Sequence, residues 1–567
     1  MNKNILFVIG FGATVLFTAC NKNMKSLDAS YFKTVPNPLE TKGGKVDATV
    51  TGTFPQKFFV KNAVLTVTPV LKYGDQESKG NPAVFQGEKV LGNNQTVNYK
   101  TGGTFSINPS YYFDPAMAKS DLVLNFNVTQ KKKSYTLPSV KVADGVLATS
   151  ELVSLSPNEI RPALAPDSFK YITQENSEAD VLFLIQQAKL RNSELNKNDV
   201  KIFNEKVKEA RQSQNKDITS LQVSSYASPD GPMTLNQNLA ENREKVTMDY
   251  LNKELKKLKA NVTIDSKFTA EDWDGFQKLM EASNIQDKDL ILRVLSMYQD
   301  PEQREREIKN LSSTFEVLAK EILPQLRRSK MMLSVDVKGK TDGQILALAT
   351  SKPDSLTANE LLYAGTLAST NQIQTQIYKK FIDLFPNDAR GYNNLGLMHY
   401  YNGKTDEAEN QFKKALEINP NSPDANYNMG LVKLTKGQLT DAQAYFGKSA
   451  GTVGDISAAL GASYIKQGDY TKALNVLKDE KSNNAALVQI LTNDYNGARS
   501  TLSSIKYSNA LTFYLNAILA ARTNDRDGVY SNLSKAVQKD ASLAKKASTD
   551  LEFAKYFTDS QFLSILK

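Results

Sequence analysis

Three positions in the C-terminal part of the chain, Gly396, Ala408 and Phe412, return 34 residues later as Gly430, Ala442 and Phe446. Around them Leu395 is matched by Met429, Ala415 by Ser449, and Tyr392 by Tyr427 at a neighbouring position, with Pro420 closing the first unit. A unit of this length is a helical hairpin, which cannot bury its apolar face alone and becomes stable by stacking on its neighbours. Small residues at Gly396 and Ala408 let the two helices approach closely, and Pro420 ends the second helix because it has no N–H to donate. Weaker units flank the clear pair: Tyr378, Phe381 and Pro386 before it; Gly461, Ala473 and Leu477, then Ala498 and Leu502, then Ala517, Val529, Leu533 and Ala536 after it. The pattern predicts five or six hairpins over 355–567, capped by Leu551 to Leu566, in an all-α solenoid with one continuous concave groove.

The spacing resembles the tetratricopeptide (TPR) repeat at Tyr392, Leu395, Gly396, Ala408, Phe412, Ala415, Pro420, Gly430, Ala442 and Phe446, all structural positions. The resemblance implies a scaffold that takes protein partners in its groove. His399, the only histidine, falls where the repeat usually has an aromatic residue and is read as packing.

At the other end, an apolar run of about 13 residues from Ile5 to Phe17 follows Lys3. It has the length of a secretory signal core and is short of the ~20 residues that span a bilayer. Leu16-Phe17-Thr18-Ala19-Cys20 resembles the lipobox of bacterial lipoproteins, which implies removal of residues 1–19 and lipidation of Cys20, the only cysteine. Residues 20–44, polar and punctuated by Pro36, Pro38, Gly43 and Gly44, read as a tether reaching roughly 25–30 Å.

Between anchor and solenoid lie two further segments. Residues 45–164 alternate apolar and polar with a period of two, as in Leu122, Leu124, Phe126 and Val128, and turn-forming glycines separate the runs. This predicts an antiparallel β-sandwich. Residues 165–341 mix periods: helices over 179–190 and 198–210, a strand over 219–225, a helix-rich stretch over 271–326 and a last strand over 331–337. That is an α+β domain, with 342–354 as a linker to the solenoid. The fold expected for the whole chain is therefore multidomain: β-sandwich, α+β, all-α.

Within the α+β segment, a strand end, a Pro229-Asp230-Gly231 turn and a helix carrying Asn236, Leu239, Arg243 and Val246 resemble the OmpA C-terminal family. In that family an aspartate and two arginines hold the diaminopimelate side chain of peptidoglycan, a carboxylate facing the ammonium and a guanidinium the carboxylate. Carried over, the resemblance implies a peptidoglycan site at Asp230, Asn236, Arg243 and Arg327 or Arg328. Ser228 stands where the family has its aspartate, so two readings stay open: a working site using Asp230 after rearrangement of the turn, or a retained fold in which these residues shape the turn and surface.

With its single cysteine in the lipobox and a single histidine, the chain offers no thiol nucleophile, no zinc cluster and no nucleotide-binding loop, so no catalytic residue, metal or cofactor is expected. The net charge of +9 is dispersed, and an exported chain is no partner for nucleic acid. The expectation is a non-enzymatic lipoprotein scaffold on the periplasmic face of the outer membrane, held by lipid at Cys20. It would serve an envelope secretion or assembly machine through its TPR groove, with peptidoglycan as a further contact. A structural tether between membrane and wall, and a surface-displayed lipoprotein for adhesion or glycan handling, are the alternatives. The basic stretch at Lys22 and Lys25 argues against display.

Overall fold

In a computed structural model the described residues are 23–310 and 312–567, with the side chains of 312–314 outside the description. The signal segment and Cys20 lie outside the described residues. The described residues form two compact units, one of those up to Pro166 together with Asn371–Lys567 and one of Asp167–Thr370. No helix among the described residues is long and apolar enough to cross a membrane.

The first unit begins with β-structure. A three-stranded sheet orders Phe32–Val35, Thr49–Phe54 and Gly103–Ile107. A larger sheet orders Lys133–Asp144, Ser120–Gln130, Ala63–Tyr73, Ala83–Gly87 and Gln95–Val97. Alternation does the work here: in Thr49–Phe54 every second residue is buried, so Val50 and Phe54 face inward against Leu65, Phe85 and Phe126 in one core. The Phe54 ring lies 4.7 Å from Phe105 and 5.2 Å from Phe85. Most pairings are antiparallel, but Leu39–Lys42 with Val146–Leu147 and Ala83–Gly87 with Gln95–Val97 run parallel.

The tether expected over 20–44 is corrected for its described part. Phe32–Val35 and Leu39–Lys42 are strands, and Met24, Leu27 and Leu39 are buried in the core. Although the segment is polar on average, Phe32–Val35 pairs with Thr49–Phe54 and Leu39–Lys42 with Lys45–Asp47, which brings its few apolar residues to the core.

In the same unit, the helices from Asn371–Leu384 onward stack as hairpins: Ala389–Tyr401 with Thr405–Ile418, Pro423–Thr435 with Leu439–Phe446, Ile456–Gln467 with Tyr470–Leu477, Asn483–Leu491 with Tyr495–Ser504, and Ala510–Arg522 with Arg526–Lys539. A short helix at Ser542–Ala547, the turn Leu551–Tyr556 and Ser560–Ile565 close the end. Asp388, Ser422, Asp455, Asp469, Ser482, Asp494 and Asp525 cap helix starts through their side chains, satisfying N–H groups that have no partner within the helix. The β-region docks on these helices: Thr149 bonds the Glu552 carboxylate, and Lys42 Nζ sits 5.2 Å over the Tyr470 ring.

The second unit holds a four-stranded sheet in the order Ile172–Leu182, Arg328–Lys338, Lys216–Tyr226, Ile264–Thr269. The last two strands pair in parallel and the other pairs are antiparallel. Helices Asn198–Gln212 and Met233–Lys257 cover one face, burying Val200, Phe203, Val207, Leu251 and Leu255 against Val181, Val223 and Leu333. The helices from Trp273–Ala282 to Leu323–Leu326 intervene before the final strand and have a core of their own around Phe276, Ile291 and Leu318.

Two expectations fail in this unit. The helix over 179–190 is instead the end of the strand Ile172–Leu182 followed by a loop over 183–190, because Ala179, Val181 and Phe183 are buried at a spacing of two. The linker over 342–354 is mostly the helix Asp342–Ser351, opened by a capping box between Thr341 and Gln344. With Ala358–Leu367, it belongs to the second unit rather than to the solenoid.

Candidate functional sites

The first site is the concave face of the solenoid. In the first helices of the hairpins, residues on opposite faces are buried at once; every residue from Asp424 to Val432 is covered. One face packs on the second helices, where Gly396 and Gly430 allow close approach: a Cβ would stand 2.7 Å from the Phe412 ring and 2.5 Å from that of Phe446. Leu395, Ala408, Phe412, Ala415, Ala442 and Phe446 are buried, Tyr392 is half-buried, and Pro420 is exposed after the helix it follows.

What covers the other face is the chain itself. Residues 153–166, without helix or strand, run along the groove from Asn483–Leu491 back to Ala389–Tyr401, against the direction of the repeats. Asparagines hold this strap by its backbone. The Ala163 amide donates to Asn428 Oδ1 at 2.8 Å, and its carbonyl accepts from Asn428 Nδ2 at 2.7 Å and Asn393 Nδ2 at 3.1 Å. Asn394 brackets Ala165 in the same way at 2.9 and 3.3 Å, and Asn484 brackets Ser154 at 2.8 Å on both sides. Tyr427 donates to the Arg161 carbonyl at 3.1 Å, and Glu159 accepts from the Asn483 amide. A side-chain amide carries a donor NH2 beside an acceptor carbonyl, so it pairs with a peptide group as another strand would and reads no side chain. Ile160 and Ala163 are buried with Tyr427, Leu431 and Ala459 in one cluster, and Leu152 joins that of the later hairpins.

None of these asparagines is a repeat-signature position. Their signal is present all the same: Asn394 and Asn428 lie two residues before Gly396 and Gly430, and Asn484 lies two before Ala486. His399 is partly buried, and burial lowers its pKa below the ordinary imidazole value.

The second site is the end of the sheet in the 167–370 unit. Here the buried seam of helix Met233–Lys257 is polar at its start: Asn236, Ala240, Arg243 and Thr247, with Leu251 and Leu255 beyond. Leu239 and Val246 are only half-buried beside it. Arg243 is 1% exposed and donates to three carbonyls: Tyr226 at 2.8 Å, Gln187 at 3.1 Å and Leu184 at 3.4 Å. Its guanidinium lies 5.2 Å over the Phe183 ring. Burial, aided by the nearby Arg327 charge, lowers its pKa to about 10.

The structure brings Asp230 to Arg327. Arg327 Nη2 donates to Asp230 Oδ2 at 3.0 Å and Nε to Ser228 Oγ at 3.0 Å, while Ser228 Oγ donates to the other Asp230 oxygen. Lys309 Nζ donates to the Asp230 carbonyl at 3.2 Å. Asn236 Nδ2 donates to the Gly231 carbonyl at 2.8 Å and to Glu271, whose carboxyl pKa is raised by burial. Arg328 goes elsewhere, to Asp272 at 2.8 Å with Tyr226 beneath it at 5.0 Å. Of the five residues, Asp230 and Arg327 pair directly, Arg243 anchors the backbone behind them, and Arg328 stands apart.

Two sequence families match the chain, described as TPR repeat over 396–437 and tetratricopeptide repeat over 377–410. Residues 377–437 are tetratricopeptide repeats. No curated protein matches. Among solved structures, the chain is similar to a tetratricopeptide repeat protein from Parabacteroides merdae at 13% identity, covering 40% of this chain and 90% of that one with a TM-score of 0.30. The type IV pilus biogenesis factor PilW is 16% identical over 40% of this chain and 100% of its own, with a TM-score of 0.28. The Cut9–Hcn1 assembly of the APC/C is 15% identical over 59% and 73%, with a TM-score of 0.32.

Proposed function

We propose that this chain is a non-enzymatic scaffold, lipid-anchored at Cys20 to the periplasmic face of the outer membrane, that recruits protein partners to an envelope secretion or assembly machine. The observation that carries the scaffold reading is the solenoid groove, whose Asn394, Asn428 and Asn484 grip a polypeptide backbone by paired hydrogen bonds. The anchor rests on the lipobox resemblance, and the choice of compartment on the signal segment and the basic residues after Cys20. Affinity purification from cross-linked membranes tests it, with Cys20→Ser as control. Co-purification of an integral outer-membrane protein that is lost with Cys20→Ser supports the reading; recovery of the native chain in the soluble fraction overturns it.

A peptidoglycan contact is a second reading, favoured by the Asp230–Arg327 pair. A diaminopimelate side chain carries an ammonium and a carboxylate, so it can replace each member of that pair for the other. The strand order of the 167–370 sheet and the position of Arg243 behind Tyr226 support the OmpA-like resemblance. Retention on purified cell wall that Arg327→Ala abolishes would support this contact. Equal retention of the native chain and Arg327→Ala would sink it.

A further inference from the structure

The groove that a TPR partner would use is full. Its occupant is joined to the rest of the chain at both ends, and its hold is made chiefly by backbone hydrogen bonds. The buried side chains of the strap are Ile160, Pro162, Ala163 and Ala165, with Val153 and Leu155 partly buried against the same helices. Ala163 and Ala165, which the asparagines grip, bury little apolar area, so their own contribution is modest at ~25 cal/mol per Å². At one end the groove is open: an open cleft of about 1020 Å³ lies beside Asn158 and Glu159, bounded by Lys481, Tyr507, Asn509 and Lys539. Tyr507 is 80% exposed there. Next to it the Asn483 Oδ1 atom is buried without a donor, so an incoming backbone N–H would find an acceptor.

We propose that residues 153–166 are a displaceable resident ligand of the solenoid groove. A non-helical segment of another polypeptide, carrying an aliphatic residue followed by alanine-sized residues three and five positions on, gains the groove only by competing the strap away from the cleft end. The spacing is that of Ile160, Ala163 and Ala165. Intramolecular attachment gives the strap an effective concentration on the order of 1 mM, so a strap whose own sequence binds the emptied groove at about 1 µM holds any competing peptide back about a thousandfold on the native chain. Such a strap keeps the scaffold closed to weak partners and opens it to strong ones. This inference does not depend on the anchor or on the compartment.

The test uses the full chain and a fluorescein-labelled synthetic peptide of residues 151–168, followed by fluorescence anisotropy. The native chain is expected to leave the peptide free at micromolar concentrations, whereas a chain with Ile160→Asp and Ala163→Asp binds it saturably. Adding Asn394→Ala and Asn428→Ala should weaken that binding at least tenfold. Equal binding by the native and strap-substituted chains overturns the proposal, as does no binding by a strap-substituted chain that keeps native circular dichroism. If the substituted chain does not fold, hydrogen exchange on the native chain decides: the Ala163 and Ala165 amides should exchange by a local opening, faster than core amides of Pro423–Thr435. Exchange of both sets at one global rate means the strap is an inseparable part of the core, and the proposal fails.

Discussion

Arg243 carries the clearest consequence of a single residue. Its three carbonyl acceptors tie the end of strand Lys216–Tyr226 to the 184–187 loop, and each loses a charged donor if the guanidinium is removed. A buried polar group left unpaired costs about 1–3 kcal/mol, so Arg243→Ala is expected to destabilise the 167–370 unit by about 3 kcal/mol, read as a lower denaturant midpoint. An unchanged midpoint would show that the carbonyls find other partners. Asp230 illustrates the limit of motif reading, because its partner Arg327 is 97 residues away and the turn geometry that unites them is not a local pattern. His399 gives a pH test. Burial favours its neutral form, with Glu407 opposing and Lys404 and Lys379 assisting the depression. The stability it contributes is therefore complete above its unfolded value, about pH 6.5, and lost as pH falls through the lower folded value. The native chain should accordingly lose stability relative to His399→Phe as conditions go from pH 7.5 to 5, measured by urea unfolding; a constant difference would remove the histidine as the cause.

Among elements, the hairpin is the unit in which sequence and packing agree best. Gly430 meets the Phe446 ring at a distance no Cβ tolerates, whereas a Cβ on Gly447 would find only carbonyl oxygens 3.5 Å away. Gly430→Ala is expected to lower stability by about 1–3 kcal/mol through overpacking, and Gly447→Ala to leave it unchanged or raise it slightly. Thermal melts of the two variants check this, and a neutral Gly430→Ala would mean that the helix pair slides apart freely. The strands were less legible. Ile172–Leu182 is edge-paired, and its first six residues are exposed or half-exposed, so only Ala179, Val181 and Phe183 signal a period of two. Phe32–Val35 and Leu39–Lys42 are four residues each, shorter than a periodicity argument needs, and their burial follows from the sheets they join.

At the scale of the whole molecule, the β-region and the repeats share one compact unit although 204 residues of chain separate Pro166 from Asn371. Calorimetry is expected to resolve two transitions, one for the β-region with the solenoid and one for residues 167–370. Limited proteolysis near residues 167–171 and 367–371 should release the latter intact; separate melting of the β-region and the solenoid would contradict the shared unit. By itself the sequence determined the repeat hairpins, the alternation of the β-region and the mixed character of the middle, because burial on one face of a helix or strand leaves a local period. Only the tertiary structure decided that residues 20–44 contain paired strands, that Asp230 is matched to Arg327, and that the groove is filled from within. Those outcomes depend on which distant groups satisfy one another; Ala163 and Asn428 are 265 residues apart, and a backbone amide gripped by asparagine leaves no trace in the side chain it belongs to.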